Sequence, residues 1–412
     1  MGPGVTNQRK LVSIAFMLPY QGVDHAGGEY LLRHYRVLAD RCSSVTAFGP
    51  DFDTNLTAVD RGIGPDFPSY HAEVVRFPKW RRSLLGKIIA RFFFIVVPVL
   101  PDIGAVVSFS VSKSLREQLR AADIVELQWF EYFYFARLVR RINPGAEIVA
   151  VNHDVPSQRI ERSLSNWPRP LRRVYLTYVA WLERRFLRGI RTVAAHSPKD
   201  AELLTHRTAL PIAVLNPPME FDSPTQTAIE TGVVGLDVKK SFGFIGALHR
   251  RENDDAARWL LSEIWPAVIE SCPEARLYII GSKPSEELQS AAAQFGDSVT
   301  VTGYVEDIDS FYAKFSTAVI PLRYGAGIKL KTVSAVLAGK NVVATPVAVE
   351  GILPDDCFFT VSNSAHDLAQ AMVALITHPE VGRDLIDRAR AEAGSRYSLD
   401  SYAKHVSDLY EL

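Results

Sequence analysis

Residues Val319–Ile352 read VIPLRYGAGIKLKTVSAVLAGKNVVATPVAVEGI, and this stretch decides the fold. Val319–Leu322 is a short apolar run suited to a strand of a parallel sheet. Thr332–Ala338 is apolar at helical spacing and stops at Gly339. The loop between them carries Arg323, Gly325, Gly327, Lys329 and Lys331. Glycine lets a backbone approach a ligand closely, a helix start offers unpaired N–H groups, and the basic side chains add positive charge. The segment therefore predicts an anion site with a phosphate or diphosphate as its guest. Asn341–Thr345, Pro346 and then Glu350-Gly351 supply the next strand and loop, at the carboxyl edge where parallel sheets bind ligands.

Upstream the same alternation recurs. Strands are expected at Ser241–Ile245, Arg276–Ile280, Val299–Thr302 and Ala318–Pro321, and helices at Asp254–Glu270, Pro284–Phe295 and Ile308–Lys314. Glu220–Lys240, rich in Ser, Thr, Gly and Pro, reads as a linker. Before it, Leu11–Leu18, Val45–Phe48, Ile124–Leu127, Ile148–Val151 and Val193–Ala195 read as strands, with a helix over Glu29–Leu38. Regular βα alternation predicts an α/β protein of two parallel-sheet, Rossmann-like domains. The expected limits are 1–216, a linker at 217–240, a second domain at 241–395, and a final segment, 396–412, that crosses back to the first.

The length of 412 residues suits two such domains, and 47% apolar with 22% charged residues is a globular composition. Cys42, Cys272 and Cys357 lie too far apart for a zinc site or a disulfide framework. A net charge of zero gives no reason to expect nucleic acid. Positive charge is nonetheless clustered: Arg76, Lys79, Arg81, Arg82, Lys87 and Arg91 meet no acid between them, and 159–191 is arginine-rich.

The opening stretch resembles glycosyltransferases of the retaining family 4 type, the glycosyl transferases group 1. The resemblance is carried by Pro321-Leu322, Gly325-Ala-Gly-Ile-Lys-Leu-Lys331, Gly339-Lys340, Val342-Val-Ala-Thr345 and Glu350-Gly-Ile352. It continues upstream in Phe244-Ile-Gly-Ala-Leu-His-Arg-Arg-Glu-Asn253, Leu277–Gly281 and Val301-Thr-Gly-Tyr-Val-Glu-Asp307. It implies the GT-B architecture, two Rossmann-like domains with a cleft between them. It also implies transfer of a sugar from a nucleoside-diphosphate sugar to a glycan or lipid-linked acceptor, for a cell-surface polysaccharide or glycolipid. The nucleotide sugar is substrate, and neither a cofactor nor a metal is expected.

By this resemblance Arg250 or Arg251, with Lys329 or Lys331, clamps the two phosphates. Arg323, Gly325 and Gly327 contribute to the same loop, Gly281, Tyr304 and Val305 line the base and ribose, and Glu350 meets the diphosphate or donor sugar. Gly27 and Gly28 in the first strand–helix turn, and His153 directly after a strand, complete the expected set, with Asp154 either orienting the imidazole or capping the next segment. One departure stands out. The resembling enzymes place a ribose-binding glutamate where this chain has Ser334, and often a second where it has Ala326. A non-catalytic sugar-nucleotide-binding or scaffold protein, or an epimerase on the same fold, are the alternatives.

Residues 77–97 combine basic side chains with Leu84, Leu85, Ile88, Ile89, Phe92 and Phe93 on one helical face. Interruption by Lys87, Arg91 and Pro98 argues against a spanning helix. Two readings remain, an in-plane helix on an anionic membrane surface or a core helix with a basic edge. No signal peptide is visible, which with the cysteine usage suggests a cytoplasmic protein, peripheral on the inner face of the cell membrane if the first reading holds.

Overall fold

The structure, a computed structural model, describes residues 7–23, 26–164, 167–208, 210–219, 236–305, 307–325 and 327–412. Ala326 and most of the expected linker lie outside the described residues. The linker region ends early, because Leu236–Lys239 is already a helical turn. The chain forms two compact units, Met1–Pro218 with Leu399–Leu412, and Met219–Ser398.

The first unit holds a seven-stranded, all-parallel sheet of β1 (Asn7–Ile14), β2 (Cys42–Pro50), β3 (Tyr70–Val75), β4 (Ile124–Gln128), β5 (Glu147–Asn152), β6 (Thr192–Ala195) and β7 (Ala213–Val214). The spatial order is β3-β2-β1-β4-β5-β6-β7. The second unit holds β8 (Ser241–Ile245), β9 (Arg276–Ile280), β10 (Val299–Val301), β11 (Thr317–Ile320), β12 (Asn341–Ala344) and β13 (Thr360–Val361), ordered β10-β9-β8-β11-β12-β13. In each sheet the winding reverses once, at β1/β4 and at β8/β11. Loops on either side of such a reversal diverge and leave a crevice at the carboxyl ends of the strands, which places the candidate sites.

The strands are near-continuous apolar runs because both faces of a parallel sheet are covered by helices. β11 and β12 are buried throughout. The stretch read as one helix, Asp254–Glu270, is broken into Arg251–Trp259, a π segment Leu260–Ile264, and Trp265–Ser271. Pro266 is the cause: it has no N–H, and its ring would strike a carbonyl of a regular helix, so the chain widens by one residue before it.

The final helix, Leu399–Tyr410, belongs to the first unit. Arg9 donates to Tyr410 O at 2.9 Å and Arg41 to Ser407 Oγ at 3.0 Å. At its inner face Tyr402 Oη lies 2.7 Å from His34 Nδ1, and Tyr410 Oη donates a short hydrogen bond to Glu126. Glu126, wholly buried in central β4, also lies 2.6 Å from His34 Nε2 and accepts from Ser13 Oγ at 2.6 Å. Burial pushes this carboxyl up, but the charge and hydrogen bond of His34, with those of Ser13 and Tyr410, overcome it and hold the group below the usual carboxylate range.

Candidate functional site

In the second unit the loops after β8 and β11 flank the winding reversal. Gly246 lets these two loops close up, and Gly281 lets the loop after β9 close on the first of them. A Cβ on Gly246 would lie 2.7 Å from Lys331 Nζ, and one on Gly281 would lie 1.8 Å from Gly246 O. Lys331 sits in the first turn of the helix Leu330–Leu337. Its ammonium donates a short hydrogen bond to Asn253 Oδ1 and lies 5.1 Å from the centre of the Phe244 ring. Asn253 is itself fixed by donating to Ala247 O at 2.9 Å. Burial pulls the Lys331 ammonium down to about 7; Glu252 opposes the shift, and Arg250 and Lys329 add to it by smaller amounts. The ammonium is thus short of solvation, and an incoming diphosphate would stabilise its charged form.

The other expected residues divide. Lys329 is buried and donates to Gly327 O at 2.7 Å, tightening the loop that Gly325 and Gly327 turn with positive φ. Arg250 and Arg251 are exposed at the start of their helix, with Tyr324 Oη donating to Arg251 O at 3.0 Å. Arg323 is engaged elsewhere: its guanidinium forks onto Asp255 at 2.9 and 2.5 Å and lies over Trp259. Gly281 donates its N–H to Gly303 O at 3.1 Å, which brings the loops after β9 and β10 together. Tyr304 is exposed, and Val305 packs on the core. Glu350 is half-buried directly after the turn Pro346–Val349. Ser334 hydrogen-bonds the buried Tyr312 hydroxyl, so this position serves the helix Ile308–Tyr312.

In the first unit, Gly27 and Gly28 fall inside the first turn of the helix Ala26–Ala39, which starts three residues before the expected Glu29. His153 follows β5 as expected, and its Nε2 lies 2.7 Å from Gln128 Oε1. Trp129 stacks on the imidazole with centroids 3.9 Å apart and planes 9° from parallel. Burial, then the neighbouring His196 and His34, pull His153 well below its ordinary value, so it is neutral at physiological pH. With Gln128 oriented as it is, Nε2 carries the proton and Nδ1 keeps its lone pair. Asp154 does not orient this ring. It pairs with Arg159 at 3.0 Å, an arginine that also holds Glu131 at 2.7 Å, and burial still pushes the Asp154 carboxyl up to about 6.

The structure adds residues that the sequence reading missed. Gln128, Asn152 and His196 end or follow β4, β5 and β6, neighbouring strands in the sheet. Among the described residues, both amide atoms of Asn152 and His196 Nε2 are buried without a hydrogen-bond partner, while Gln128 also hydrogen-bonds the buried Tyr30 hydroxyl. Leaving such groups unpaired is costly, and a cluster of them at a carboxyl edge marks a place built for ligand or ordered water. Trp129 has φ +69°, unusual for a bulky residue, and this strain is what turns its ring onto His153.

Comparison with known proteins follows this division. Residues 239–378 match the model of the family described as glycosyl transferases group 1. Over 114 residues the chain is 30% identical to an uncharacterized 44.6 kDa protein in the cps region of Klebsiella pneumoniae, a match that takes in 26% of this chain and only 29% of that relative. Anabaena HepE in complex with UDP aligns at TM-score 0.70 and 14% identity, over 98% of this chain and 100% of that one. Sucrose-phosphate synthase from Thermosynechococcus elongatus aligns at TM-score 0.70 and 15% identity, over 98% of each. The second unit is therefore similar in sequence to the glycosyl transferases group 1, and the chain has the two-sheet fold of GT-B glycosyltransferases.

Proposed function

We propose that the protein transfers a sugar from a nucleoside-diphosphate sugar to a glycan or lipid-linked acceptor, with retention of anomeric configuration. The observation that supports this reading is the convergence of Lys331, Lys329 and Arg250 at the β8/β11 reversal, with the Lys331 ammonium pulled down to about 7 chiefly by burial. As the bond from the anomeric carbon to the diphosphate breaks, charge accumulates on the leaving oxygens, where fixed cations and N–H dipoles are most effective. The acceptor oxygen bonds to the same carbon on the same face, and its proton passes to the departing phosphate. His153, neutral and clamped by Gln128 and Trp129, supports the transferred sugar by hydrogen bonding rather than by charge.

UDP-sugars come first in a donor screen, since the HepE structures hold UDP and UDP-glucose. His153→Ala is expected to lower kcat about a hundredfold with little change in KM, read in a transfer assay with whichever donor raises the melting temperature. A nucleotide that binds without any turnover would favour the binding-protein reading, which Ser334 supports by leaving no carboxylate for the ribose hydroxyls at its position.

We further propose that the first unit lies on an anionic membrane. The helix Leu84–Val96 shows its large apolar side chains outward, Leu84 at 77%, Phe92 at 67% and Ile88 at 57% exposure, while Gly86 and Ala90 are buried. Gly86 allows this inversion, for a Cβ there would lie 2.1 Å from Trp80 O. Part of the basic cluster is neutralised from afar, Arg76 and Arg82 by Asp51 and Arg81 by Asp102, while Lys79, Lys87 and Arg91 are exposed. An apolar ridge with basic flanks matches the depth profile of an anionic lipid surface. Ile88→Ser with Phe92→Ser is expected to abolish co-sedimentation with phosphatidylglycerol-containing vesicles while sparing nucleotide binding. Retained vesicle binding would sink this part of the proposal, and conversion of a dimer to a monomer would reassign the ridge to a second copy.

A further inference from the structure

A cavity of about 530 Å³ lies on the first unit between the helices Pro156–Ser163 and Arg169–Leu187, lined by Arg169, Arg172, Arg173, Arg184, Glu161 and Ser157, with Leu176, Thr177 and Ala180 on its wall. Four guanidinium groups face one carboxylate, and that carboxylate is already bonded to Arg172 at 3.0 Å. Among the described residues no acid pairs with Arg169, Arg173 or Arg184. Packing like charges around a concavity is unfavourable in the empty molecule, because the concave wall excludes part of the screening water.

A second observation points the same way. Ser157 lines this cavity, is 3% exposed, and its Oγ is buried with no hydrogen-bond partner. Its backbone N–H is held by Glu183 Oε1 at 2.8 Å, so the residue is fixed in place while its hydroxyl is left over. A hydroxyl donor beside guanidinium forks is the set that a tetrahedral oxyanion satisfies, each arginine offering paired N–H groups to two oxygens.

We infer that this cavity binds a phosphate or diphosphate group, at a site separate from the lysine loop of the second unit. The carrier has two possible sources, a soluble phosphorylated molecule or the headgroup of a lipid. The same helix, Arg169–Leu187, bears Leu171, Val174 and Trp181 exposed on another face, with Trp167 just before it. Tyr175 Oη donates to Ile95 O at 2.9 Å, tying this helix to the exposed apolar helix Leu84–Val96. A lipid phosphate entering the cavity would therefore have apolar surface beside it for its chains. The inference does not depend on the transferase reading, since it concerns residues that reading leaves unused.

The test uses the full chain and two variants, Arg169→Gln with Arg173→Gln, both exposed and so compatible with folding, and Ser157→Ala. Inorganic pyrophosphate is titrated by calorimetry, and vesicles of phosphatidylcholine with and without phosphatidic acid are used for co-sedimentation, with a nucleoside diphosphate as the control for the second unit. The double variant is expected to lose the pyrophosphate binding attributable to this cavity, at least about tenfold in affinity, and Ser157→Ala several-fold, with nucleoside-diphosphate affinity unchanged. Accompanying loss of binding to the phosphatidic acid vesicles assigns a lipid source; loss of pyrophosphate alone assigns a soluble one. Pyrophosphate binding equal to that of the parent protein in both variants overturns the site. So does loss of vesicle binding with no effect on pyrophosphate, which diffuse attraction to a charged surface would produce.

Discussion

Lys331→Met is expected to raise the Kd for a nucleoside diphosphate about thirtyfold, or about 2 kcal/mol, while the free protein melts at the same temperature or higher. Opposite signs arise because the ammonium is costly without its ligand. It is largely desolvated, its hydrogen-bond partner is the neutral Asn253, and the attraction of Glu252 is set against repulsion from Arg250 and Lys329. A methionine of similar length keeps the contact with Phe244 and removes the charge.

The same lysine gives the binding reaction a pH dependence whose direction is fixed. In the free protein the ammonium titrates at about 7, and a bound diphosphate favours its charged form. Below that pH the lysine is already protonated and binding takes up no proton. At about pH 8 binding must draw close to one proton from solution, so affinity falls by up to about tenfold per unit as pH rises. Calorimetry in buffers of different ionisation enthalpy reads the uptake directly, and Lys331→Met should abolish it. Equal affinity of parent and variant at every pH would remove Lys331 from the site.

The second large effect concerns Glu126. Glu126→Ala should destabilise the first unit by about 3–5 kcal/mol, because it strands His34, Ser13 and Tyr410, whose polar atoms have no water to turn to. Glu126→Gln keeps the shape and should cost less. Hydrogen exchange is the suitable measurement: protection should fall in β1, β4 and the helix Leu399–Tyr410 and hold in the second unit, since the partners of this carboxylate all lie in the first. Uniform loss across both units, or none, would contradict this account.

Legibility of the chain from sequence followed the range of the interactions involved. β8, β9, β11 and β12 are runs of apolar residues bounded by turns, and local pattern is enough to see them. β7 and β13 are two-residue strands at sheet edges, with nothing for periodicity to act on. The lysine loop was visible because its chemistry is contiguous in sequence. Gln128, Asn152 and His196 were not, because they become neighbours only when three strands align. Arg323 shows the converse: a cation in the right loop is taken up by Asp255, which no spacing rule connects to it. For Leu84–Val96 the pattern gave the apolar face but not the direction in which it points, which Gly86 decides by allowing close approach to Trp80.

The first unit is interrupted in the chain by the whole of the second, and its last helix follows Ser398. During vectorial synthesis the second unit can therefore fold to completion while the first still waits, with Glu126 and His34 in place but Tyr402 and Tyr410 not yet made. A nascent chain stalled before Leu399 would display a finished second unit attached to an unfinished first one, with buried charge still open to water. Such a chain should be cut by proteases in its first unit while its second resists, because only the first lacks the tyrosines that close over its buried carboxylate.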